Sequence, residues 1–285
     1  MPPSPTAKGA LLVCAAMTMF VLNDVATKLL MQRFSALQVM TVRGMIGGAV
    51  LLLFLRMTGA TIPWRHALKA PVLARSACDA GASLAFVSAL VGLPLATITA
   101  LIQIVPVLSA LAAGLLFRER LTRRLLLSMG LGFSGVVLFA HPSDGAFDRH
   151  LLLAGLCTLL LCLRDVITRS TTEEIPSSLV ALLTTLAVPA VAAPFLLLSG
   201  ITSMMLTDVG ILLVAAIFVS FGNWFLILAM RLTTLGEIAP FRYFAIPISM
   251  LAGFIVWSEV PSMPMVSGAV LIALGGAVAL SPTRG

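Results

Sequence analysis

The chain has 285 residues, of which 60% are hydrophobic and only 10% charged, with a mean hydropathy of +1.10. A soluble domain is about half apolar and a quarter charged, so this composition excludes a water-soluble fold and defines an integral membrane protein. The formal charge of +7 is concentrated in short loops, where it sets orientation and does not build a nucleic-acid surface.

A bilayer-spanning helix takes about 20 apolar residues. Ten such segments are predicted, at 8–29, 36–57, 71–92, 95–117, 123–141, 151–170, 178–199, 208–231, 235–258 and 263–281. The first is too long for a signal peptide and contains Asn23 and Asp24, so it is expected to be retained. At 1.5 Å per residue, Asp24 lies about 24 Å along it. It either caps the helix or pairs with a neighbour such as Arg43, or it gates or relays a proton. Arg43 in the second segment lies about 12 Å deep. It either clamps a carboxylate or pairs with Asp24 or Asp79.

Asp79 in the third segment is also about 12 Å deep. Asp79, Ser83 and Phe86 share one helix face. The carboxylate is a candidate for a substrate amine or a coupling proton, or it is a hydrogen-bonded structural group. The fourth segment, within TITALIQIVPVLSALAAGLLFRER at 97–120, carries Gln103 one turn before Pro106. Asp165 lies near the end of the sixth segment, in a position like that of Asp24 in the first. The eighth segment presents Ser220, Asn223 and Trp224, and the ninth carries Phe241-Arg242-Tyr243-Phe244 just before Pro247. Those aromatics are candidate walls of an apolar pocket. Each proline removes an N–H and frees a carbonyl four residues back, so Pro106 and Pro247 are expected to kink or hinge their helices.

Lys and Arg split unevenly between the two sides of this ten-segment scheme. Twelve fall on the side holding both termini, and three (Lys28, Arg33, Arg149) on the other. The asymmetry places both termini in the cytoplasm of a bacterial inner membrane. Cys14, Cys78, Cys157 and Cys162 lie inside apolar runs without CxxC or Cys/His spacing, so neither metal nor disulfide is expected. There is no Walker A, HExxH or GxSxG pattern, and His66, His141 and His150 fall in loops. No cofactor and no enzyme activity are expected.

The chain also repeats itself. Asp24-Val25-Ala26-Thr27-Lys28 matches Asp165-Val166-Ile167-Thr168-Arg169 at an offset of 141, as do Gly81 with Gly222 and Pro106 with Pro247. Glu119 matches Glu259 at 140. Two units follow, 1–145 and 146–285. Five segments is an odd number, so the second unit is inverted, an arrangement common in secondary transporters.

PVLSALAAGLLFRERLTRRLLLSMGLGFSGVVL and PISMLAGFIVWSEVPSMPMVSGAVLIALGGAVAL resemble the closing halves of EamA repeats. These define ten-helix members of the drug/metabolite transporter superfamily, and the chain is also similar to YddG-type exporters of aromatic amino acids. Val260-Pro261-Ser262 departs from the basic turn at Arg120–Arg124. The resemblance implies an all-α fold around a central cavity and alternating-access export of small metabolites, with aromatic and other apolar amino acids favoured. Another metabolite, a carboxylate or a lipophilic drug is the alternative cargo. A membrane scaffold or enzyme subunit without cargo is the alternative class. The only partners expected are a small-molecule substrate and the lipid bilayer, with a monomer sufficient.

Overall fold

The computed structural model describes residues 5–59, 63–93, 95–102, 104–118, 122–140, 149–171, 175–258 and 263–280. These residues form helices and no strand. The first six α-helices are α1 (Pro5–Met31), α2 (Ala36–Met57), α3 (Ala70–Leu90), α4 (Leu95–Ile102), α5 (Val105–Phe117) and α6 (Arg123–Ala140). The last six are α7 (Arg149–Ser170), α8 (Ser177–Ser199), α9 (Leu206–Leu232), α10 (Leu235–Arg242), α11 (Ala245–Trp257) and α12 (Met263–Leu280).

Helix starts follow local chemistry. Ser35 caps α2, its hydroxyl accepting from the Gln38 N–H at 3.3 Å. Thr234 and Glu237 exchange bonds in a capping box at the start of α10. Six spans, including one from Glu237 to Trp257 that joins α10 to α11, are long and apolar enough to cross a bilayer. The protein is thus an all-helical, multi-pass membrane protein.

Two of the expected single segments are broken. Where one helix was expected over 95–117, α4 stops at Ile102 and α5 begins at Val105. Where one was expected over 235–258, α10 stops at Arg242 and α11 begins at Ala245. Pro106 and Pro247 therefore sit in the first turn of a new helix, where a missing N–H costs nothing, instead of kinking a continuous one. The carbonyl freed by Pro247, that of Tyr243, accepts from the Ile246 N–H at 3.0 Å in a tighter turn. The second helix of each pair ends alike, on a non-glycine residue in the left-handed region: Arg118 after α5 and Ser258 after α11, both at φ 54°. Glu119 and Glu259, the matched glutamates, lie outside the described residues.

The main packing partners cross from the first six helices to the last six. α1 lies on α9 and α3 on α7, while α2 lies on α8 and α6 on α12. α5 meets α10 and α4 meets α11. Exchanging α1–α6 for α7–α12 returns the same set of pairs. Small residues allow the close approaches, since lipid supplies no hydrophobic drive between helices. A Cβ on Gly44 of α2 would lie 2.5 Å from Cδ of Pro189 in α8, and one on Gly47 would lie 2.7 Å from Oγ of Ser220 in α9. On the α6–α12 contact, Ser128 donates to the Gly275 carbonyl at 2.6 Å.

Candidate functional site

A cavity of about 170 Å³ lies where these crossings leave a gap. Its apolar wall comes from Met17, Phe20 and Val21 of α1, Phe86 of α3, Ile102 of α4 and Leu161 of α7. The rest of the lining includes a polar set. Asn23, Asp24, Arg43, Asp79 and Ser83 come from the first half of the chain, and Arg164, Asn223 and Arg242 from the second. Helical spacing puts them there. On α3, Asp79, Ser83 and Phe86 recur on one face, as do Val219 and Asn223 on α9 and Arg242 and Ala245 across the break between α10 and α11.

Most of the charges hold one another. The Arg164 guanidinium donates to Asp79 at 2.6 Å and to one oxygen of Asp165 at 3.0 and 3.1 Å. The other oxygen of Asp165 pairs with Arg242 and accepts from Ser109 of α5 at 3.3 Å. Asp165 is 0% exposed and does not line the cavity. Four segments, α3, α5, α7 and α10, are tied through this one buried cluster. Such a cluster costs desolvation and is stable only when every partner is present.

Asp24 and Arg43 behave differently. Arg43 donates to the Asn23 side-chain oxygen at 2.8 Å and to the Thr27 hydroxyl at 3.0 Å, both neutral. Asn23 in turn donates to Asp24 at 2.9 Å. The asparagine thus stands between an acid and a base that do not touch. Residues 7–140 match the EamA-like transporter family.

Three relatives of named activity fit that match. The chain is 28% identical to the riboflavin transporter of Rhizobium johnstonii over 95% of this chain and 90% of the relative. It is 24% identical to the S-adenosylmethionine uptake transporter of Rickettsia prowazekii, over 88% and 85%. It is also 24% identical to the pseudopaline exporter CntI of Pseudomonas aeruginosa, over 97% and 96%. One crystal structure of a protein chain shares the fold, with a TM-score of 0.79 at 20% identity over 95% of this chain and 97% of that one.

The expected site residues separate into those on the cavity and those off it. Asp24, Arg43, Asp79, Ser83, Phe86 and Asn223 line it. Trp224 does not: it packs edge-on to Phe54 at 5.3 Å, one position round the helix from Asn223. None of the aromatics expected beside Pro247 lines it either. Phe241 is in the core with α1, and Tyr243 is fully buried against Gly132 of α6. Phe244 is 45% exposed on the outside. The reason is the helical turn: the face carrying Arg242 and Ala245 points inward, so its neighbours point elsewhere. Gln103 lies outside the described residues.

Arg164 was not among the expected site residues. Its sole signal was a charge in the middle of an apolar segment. The second half also holds an echo of Arg43. Thr168 and Thr184 stand 141 residues after Thr27 and Arg43, and both take a bond from buried Arg75 of α3, with Thr168 at 2.8 Å.

Proposed function

We propose that the protein is a secondary transporter of the drug/metabolite type, moving a small amphipathic metabolite through this cavity by alternating access. Two inverted units, 1–145 and 146–285, supply ten membrane-crossing segments, with both termini in the cytoplasm of the bacterial inner membrane. No cofactor takes part, and one chain suffices. The observation that carries this is the cavity lining. Polar groups from both halves converge on one space, which a scaffold without cargo has no use for, and apolar side chains line the same space.

A second observation supports alternation. Three lining residues have counterparts 141 positions on that are sealed, Asp165 for Asp24, Thr184 for Arg43 and Ser220 for Asp79, all 0% exposed, whereas the counterparts of Phe20, Asn23 and Ala82, namely Leu161, Arg164 and Asn223, line the same cavity. With the termini in the cytoplasm, α4 and the Phe86 end of α3 belong to the periplasmic half, so the cavity is the outward-facing one. The opposite state closes Asp24 and Arg43 and opens around Asp165.

The cargo is a molecule with a flat apolar body and a polar or charged end. Aromatic and other apolar amino acids have that form, and so do the riboflavin and S-adenosylmethionine named for the relatives. Those relatives include an uptake protein and an exporter, so export is proposed on the amino-acid resemblance alone. The test is counterflow into proteoliposomes of the purified chain, with labelled phenylalanine, tryptophan, riboflavin and S-adenosylmethionine. Protein-dependent exchange of at least one is expected. Exchange of none overturns the transport assignment and favours a scaffold.

A further inference from the structure

We infer that Arg43 and Asp24 are the two poles of a docking site for a zwitterion, so that the cargo's polar end is an α-amino acid headgroup carrying carboxylate and ammonium together. The inference rests on the transport assignment above and narrows it to one substrate class. The cavity lining holds three arginines and two aspartates. Arg164 and Arg242 already have anionic partners, Asp79 and Asp165, although the buried Nε of Arg242 makes no hydrogen bond among the described residues. What is left is one cation and one anion, Arg43 and Asp24, neither of which ion-pairs with an opposite charge among the described residues.

Their surroundings keep them apart. Asn23 spends its oxygen on Arg43 and its amide on Asp24, so it holds the two charges in place while preventing contact. Arg43 is 7% exposed, its Nε is buried without a hydrogen-bond partner, and only one of its nitrogens is engaged. On α9, Asn223 lines the same cavity and its side-chain oxygen is a second buried group without a partner. A guanidinium with spare N–H groups matches a carboxylate, and a carboxylate together with a spare amide oxygen on the same cavity matches an ammonium. An unmatched buried donor and an unmatched buried acceptor in one cavity each carry a cost that a ligand with both complementary groups removes. Phe20, Phe86 and Met17 then face the side chain of that ligand. A singly charged cargo satisfies only one pole, and a neutral cargo neither.

The experiment is competition against the tracer that moves in the counterflow assay, in the full-length wild-type protein. The competitors are phenylalanine, phenethylamine (no carboxylate) and 3-phenylpropionate (no ammonium). Phenylalanine is expected to compete about tenfold better than either one-charge analogue. Arg43→Gln should erase the preference over phenethylamine, and Asp24→Asn the preference over 3-phenylpropionate. Equal competition by the three compounds on the wild-type protein overturns the zwitterion site whether or not either variant folds. Riboflavin exchange that phenylalanine fails to inhibit also overturns it, with the transport assignment intact. Failure of every tracer to move overturns the transport assignment itself.

Discussion

At the scale of single residues, the buried ion cluster decides what the charges can do. Arg164 is held by two aspartates, and both lose their shared cation when it is removed. Arg164→Gln should lower the melting midpoint of the detergent-purified protein by about 10 °C, the range for stranding a buried charge in a chain of this size. Adding Asp79→Asn should recover part of that loss, because one stranded charge is gone; a double variant as unstable as the sum of the singles would mean that the two side chains do not communicate. Ser258, left-handed at φ 54°, offers the opposite sign. Ser258→Gly removes the steric cost of that conformation and should raise the midpoint by about 2 °C. Depth along a helix drew attention to Arg43 and Asp79 in the sequence, while it put Asp24 near a helix end. It was not enough to tell which of them are engaged, because the partner of Asp79 is 85 residues away in the chain. Pairing is a property of the assembled bundle, and no spacing rule within one segment reports it.

At the scale of elements, glycines set how closely α2 meets its neighbours. Gly44→Ala drives a methyl group against the Pro189 ring and should lower the midpoint by about 5 °C, within the range for overpacking a tight contact. Gly210→Ala on α9 meets nothing within 4 Å and serves as the control, with no loss expected. If both variants melt alike, steric contact at Gly44 is not what matters. The long helices were legible because about twenty apolar residues between polar loops admit few other structures. The two prolines marked an interruption in each central segment, but not that a separate helix begins there. A proline near the middle of an apolar run reads the same whether it kinks one helix or opens the next, and the choice depends on whether nearby groups can satisfy the loosened backbone. That choice also decided the aromatic run. Continuing the helical turn through Arg242 and Ala245 sends Phe241, Tyr243 and Phe244 away from the cavity.

At the scale of the whole molecule, alternating access predicts which positions exchange exposure. In a background with the four cysteines replaced by alanine, Ser83→Cys faces the open cavity and Ser220→Cys is sealed. A membrane-impermeant maleimide should label the first from the periplasmic side and leave the second unlabelled. Under a cargo gradient, labelling at 83 from the periplasmic side should fall, while the same reagent supplied from the cytoplasmic side should label position 220 several-fold more. Labelling that ignores cargo at both positions would point to a static cavity. The crossed pairing of helices has a further consequence, for synthesis. The ribosome finishes α1 through α6 before any of their main partners exists, because α1 waits for α9, α2 for α8, α3 for α7 and α6 for α12. The first half must therefore remain in the bilayer with its glycine-lined faces uncovered until the second half arrives, and degradation of stalled or truncated chains is expected to be rapid. Two separately translated pieces, cut between the halves, should be unstable singly and accumulate together.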